Sequence, residues 1–84
     1  MTLQEFQTLE RRFYFLLQLD FVAISYDPAT QSAAISFKVE PKVWIQRARY
    51  TQLPALFQHL LYVENLHYDM VNKPYNIIDN KTKD

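Results

Sequence analysis

Apolar residues recur at helical spacing over the first part of the chain. At about 100° per residue, Leu3, Phe6, Leu9, Phe13 and Leu17 share one face, and Gln4, Gln7, Arg11 and Gln18 lie on the other. Thr2 followed by Glu5 fits a capping box, in which the Thr2 hydroxyl accepts from an early amide and the Glu5 carboxylate reaches back. The pattern predicts a helix to about Leu19. The period then changes. Phe21 to Tyr26 is rich in β-branched and aromatic residues, and Ala33 to Val39 alternates, with Ala33, Ile35, Phe37 and Val39 on one side and Ala34, Ser36 and Lys38 on the other. Asp27-Pro28-Ala29-Thr30 between them is a type I turn signal, because Pro28 presets φ at the second position. A β-hairpin follows from this arrangement.

Pro41 to Arg49 admits two readings. As a helix, Pro41 sits in the first turn, and Trp44, Ile45 and Ala48 cluster on one arc. As a third strand, Val43 and Ile45 share a face with Arg47 and Arg49, a poor pattern for a half-buried strand. The pattern favours a short connecting helix over the strand. Thr51 can cap a long helix from Gln52 to about Val71, with Pro54 in its first turn, where a missing amide hydrogen matters little. Its apolar arc is Leu53, Leu56, Phe57, Leu60, Leu61, Tyr68 and Val71, and Asn72, Lys73 and Pro74 stop it. A two-stranded hairpin is marginal alone and needs a cover. The prediction is an α+β domain over residues 1–76: an N-terminal helix, a β-hairpin, a short connecting helix (or third strand) and a long C-terminal helix packed on the hairpin. Residues 77–84 form a flexible polar tail.

Composition narrows the function classes. The chain has 84 residues, 49% hydrophobic and 15% aromatic, enough for one core and no second domain. Nine basic residues balance nine acidic ones, which weighs against nucleic acid without removing it. There is no cysteine, so disulfides, thiolate catalysis and Cys-ligated zinc are excluded. That absence, and a start without a basic, apolar leader pattern, point to a cytoplasmic home. The longest apolar run, Phe13 to Leu17, is too short to span a bilayer. There is also no glycine, where average usage gives about six. Glycine-rich phosphate loops and a strained nucleophile turn therefore drop out.

Candidate chemistry is sparse. Glu64 and His67, three apart on the long helix, are half of a carboxylate-bridged di-metal pattern, and Glu10 of a second copy is the nearest candidate for the rest. A complete site needs two copies of the pattern and the chain has one, so a structural pair at a boundary is the better reading. No metal, cofactor or catalytic set is expected. Ser25, Ser32 and Ser36 crowd the hairpin while His59 and His67 lie on another element, and no serine–histidine–acid spacing can be nominated. Trp44, Arg47, Arg49 and Tyr50 mix cations with aromatics, as single-strand binders do. Phe15 lies opposite the core face of the first helix, and Tyr62, with Leu66 beside it, lies among polar residues of the long helix. Aromatics ringed by polar groups have the composition of interface anchors. The expected function is a small non-catalytic protein-binding module: an adaptor, inhibitor or assembly factor of a larger intracellular complex, with a homodimer allowed. A single-stranded nucleic-acid binder using Trp44–Tyr50 is the alternative.

Overall fold

In the computed structural model the chain runs α1 (Leu3–Arg12), α2 (Tyr14–Leu17), β1 (Val22–Asp27), β2 (Ser32–Glu40), β3 (Val43–Tyr50) and α3 (Leu53–Lys83). Residues 1–70 are described with their side chains. The expected stop at Asn72, Lys73 and Pro74, the place of Val71 in the apolar arc and the polar tail at 77–84 lie outside the described residues.

The capping box forms as the spacing predicts. Glu5 N donates to Thr2 Oγ1 at 3.1 Å, and Thr2 N donates to Glu5 Oε1 at 2.8 Å. The helix breaks earlier than expected. Phe13, with φ −106° and ψ 27°, ends α1, and a single turn of helix resumes at Tyr14. Phe6, Leu9, Phe13 and Leu16 are buried, whereas Leu3 is exposed and Leu17 only partly covered. Leu16 lies seven residues after Leu9, two helical turns on, so the same periodicity already contained it.

The three strands form one antiparallel sheet in the order β1-β2-β3. Asp27 pairs with Ser32, and the four residues between them make the first reversal. Its geometry is held by Asp27, whose Oδ1 accepts from Ala29 N and whose Oδ2 accepts from the Thr30 hydroxyl, both at 3.0 Å. The Ala29 amide, then the Thr30 hydroxyl, hold the Asp27 carboxyl below the usual carboxylate range.

Residues 43–50 are the third strand, not a short helix. Glu40 pairs with Val43, so only Pro41 and Lys42 link β2 to β3, and Lys42 takes φ 66°. The poor strand pattern has a physical cause. Ser36 pairs with Gln46 but Ile35 pairs with Ala48, so Arg47 is an extra residue without a partner on β2. This β-bulge shifts the alternation by one. Ile45, Ala48 and Tyr50 then lie across from Phe37, Ile35 and Ala33 on the inner face, and Arg49 falls on the other. A second irregularity leaves Val39 unpaired. Val39 is therefore exposed and does not join Ala33 and Ile35 in the core.

The helices cover the sheet face that carries Val22, Ala33 and Ile35. α3 begins at Leu53, so Gln52 and not Thr51 precedes it. Leu56 and Leu60 are completely buried and Val63 nearly so, packed with Phe6, Leu9, Phe13 and Leu16. Phe57 meets the edge of Phe13 with ring centroids 5.5 Å apart. Burial of each such leucine contributes about 1.5–3 kcal/mol. Tyr68, expected in the apolar arc, is exposed. Among the described residues of α3 the buried ones end with Val63, and Tyr68 lies beyond it.

Candidate groove between the long helix and the sheet

Past its buried leucines, α3 presents a second stripe, turned about a quarter-turn from the first. His59, Tyr62, Val63, Leu66, His67 and Met70 occupy it at spacings of three and four. The sheet side supplies Phe21 and Phe37, which are only half-buried, and Arg47 from the bulge. Together they bound an open groove of about 760 Å³. Val63 is the buried inner edge of the stripe, and its outer members stay in solvent: Tyr62 is 62% exposed, Leu66 42% and Met70 70%.

The two histidines are held in place by neighbours. Tyr50 Oη and His59 Nδ1 share a hydrogen bond of 2.9 Å, and the Phe37 ring lies 6.2 Å from the His59 ring. His67 stacks on Phe21 at 5.8 Å, with the planes 24° apart. Arg47 has no carboxylate partner among the described residues, and no acidic side chain lines the groove. Glu64 is directed elsewhere. Its two oxygens accept from Arg12 Nη1 and Nη2, each at 3.3 Å, tying α3 to the end of α1. Arg12 also lies 4.6 Å from the centre of the Phe13 ring. The partner of Glu64 is thus Arg12, not His67, Arg47 or a tyrosine. No group of three potential metal ligands occurs among the described residues. None of the helices described is long and apolar enough to cross a membrane.

The residues singled out from sequence do not form one surface. Tyr62, Leu66 and Arg47 line the groove, and Tyr50 supports it from behind through His59. Phe15 is 81% exposed, as its position opposite the core face predicts, but it packs edge-on with Tyr14 and does not line the groove. Trp44 pairs with Lys38, whose ammonium lies 6.0 Å from the indole centre, on the sheet face the helices leave open. Arg49 is on that face too, donating to the buried Ser32 hydroxyl at 2.9 Å. The Trp44–Tyr50 segment is therefore divided between two faces. Phe21, Phe37, His59, His67 and Met70 were not nominated as binding residues. The α3 members were visible as a stripe at helical spacing; the two phenylalanines looked like ordinary strand residues. Comparison with protein-family models, curated proteins and solved structures finds no match.

Proposed function

We propose that this protein is a small non-catalytic protein-binding module, an adaptor, inhibitor or assembly factor of a larger cytoplasmic complex, and that the groove beside α3 is its docking surface. The observation that carries this reading is the second stripe of α3, where Tyr62, Leu66 and Met70 stand in solvent next to half-covered Phe21 and Phe37. Contiguous exposed apolar surface with aromatic anchors is what partner sites display. The test is retention of host proteins on the immobilised full chain. A protein partner should be retained by the unaltered chain and lost with Leu66→Asp, whose melting temperature should match it. Equal retention by both chains would remove the groove from the reading. Self-association through the same face is the version with a second copy, and is measured by sedimentation.

The single-stranded nucleic-acid reading has one observation in its favour, the adjacent Trp44 and Lys38 on the open sheet face. Unchanged mobility of short RNA and DNA at low salt would exclude it.

A further inference from the structure

We infer that the groove takes an acidic amphipathic segment of a protein partner, with apolar side chains along the α3 stripe and a carboxylate against Arg47. This rests on the protein-binding reading and names the chemistry of the partner.

Charge comes first. Arg47 projects from a bulge into a groove whose described lining contains two imidazoles and no acid. Glu64 is taken by Arg12, and Asp69, two turns beyond Tyr62 on α3, does not line the groove. A guanidinium with no carboxylate partner among the described residues, at the rim of an apolar surface, matches a carboxylate in both charge and planar geometry. The second point is length. His59 to Met70 covers about three turns, or about 16 Å, which suits the i, i+3, i+4 and i+7 anchors of a short helix laid along it.

Shape separates this occupant from others. A small amphiphile would be left largely in water by walls as exposed as Tyr62 and Met70, whereas small-ligand sites bury most of the ligand. A second copy meeting the same face by two-fold symmetry would present the same lining residues, none of them acidic among those described, and would leave Arg47 without a carboxylate.

The experiment titrates the isotope-labelled full chain with three synthetic peptides sharing a leucine stripe at helical spacing. Their remaining positions are Glu, Gln or Lys, and dodecanoate serves as a non-peptide anion. The Glu peptide should shift the amide resonances of Arg47, Tyr62 and Leu66 saturably and bind roughly five- to tenfold tighter than the Lys peptide at low salt. Arg47→Glu should reverse that order with an unchanged melting temperature, and Arg47→Gln should level it. Equal binding of all three peptides at the groove, unaffected by Arg47→Glu, overturns the acidic assignment and leaves the protein-binding reading standing. If no peptide moves the groove resonances while host-protein retention is lost in Phe15→Ala, the module binds through another face and the inference fails alone. Saturation by dodecanoate without peptide binding, or a dimer abolished by Leu66→Asp, assigns the groove to a different occupant and overturns it as well.

Discussion

A chain without glycine must turn with residues that resist turning. Asp20, Gln31 and Lys42 take φ values of 61°, 50° and 66°, and each sits at a reversal: α2 to β1, β1 to β2, and β2 to β3. For a residue with a Cβ, this left-handed region costs about 1–2 kcal/mol. Glycine removes that cost and loses about 0.5–1 kcal/mol through the entropy of the unfolded chain. Gln31→Gly and Lys42→Gly should therefore each stabilise the fold by about 0.5–1 kcal/mol. In a chain of this size that is an increase in Tm of about 2–8 °C. The Gln31 carbonyl, which accepts from the Met1 amino group, survives the change. Gln31→Ala and Lys42→Ala keep the Cβ and should stay within about 0.5 kcal/mol of the parent. Asp20→Gly should gain less, because the Asp20 carboxylate pairs with Lys38 Nζ at 2.7 Å, an exposed contact worth at most about 1 kcal/mol. Thermal unfolding of the five variants, followed by circular dichroism, decides the matter. Glycine variants at Gln31 and Lys42 that melt at or below their alanine counterparts refute the reasoning.

Leu60→Ala should cost about 2–5 kcal/mol in urea unfolding, a large share of the total of about 4–13 kcal/mol that a domain this size holds. Phe15→Ala should stay within about 0.5 kcal/mol, and an equal loss in both would place Phe15 in the core. The lowered pKa of Asp27 means that its contribution is present above the unfolded value near 3.8 and is lost as pH falls through the lower folded value. Asp27→Asn should then flatten the acid limb of the stability profile below that pH, and an unchanged limb would count against the turn geometry. Deleting Arg47 should leave a folded chain with the inner-face register of Ile45, Ala48 and Tyr50 intact, whereas deleting Ser36 from the central strand should unfold it, because Phe37 would change faces. Comparable amide spectra for the two deletions would contradict the bulge.

Local rules made most of the fold legible. The capping box needed only Thr2 and Glu5, and the hairpin needed only the alternation of β2 and the Asp27-Pro28 signal. These signals lie within a few residues of each other, so tertiary context had little to override. The misread segments depend on distant partners. β3 looked unlike a strand because strict alternation pairs Ile45 with Arg47 on one face, and only the β2 register shows where the extra residue falls. The break at Phe13 left no glycine or proline to mark it. On α3, Tyr62 and Leu66 were found because they fall outside the core arc. The sheet half of the groove was not, because an apolar strand residue becomes a groove wall only where the helix leaves it half-covered. Phe21 and Phe37 carry no sign of that in their own neighbourhood.

The failure at β3 and the chemistry of the groove have one origin. A regular β3 that kept Ile45 and Tyr50 inward would have no place for a side chain between Gln46 and Ala48. The bulge creates that place, and Arg47 fills it. The same irregularity interrupts the hydrogen-bonding edge of the sheet, which weighs against a partner adding a strand there and favours one that lies along α3. An alternating apolar residue at this position would have continued the core. An arginine instead sets a fixed charge at the margin of an apolar stripe, where under the proposed reading it would select partners by their charge. Local disagreement between pattern and structure often marks a functional position. In this chain, where Ile35 and Ser36 of β2 face the three residues Gln46 to Ala48 of β3, the disagreement falls on Arg47.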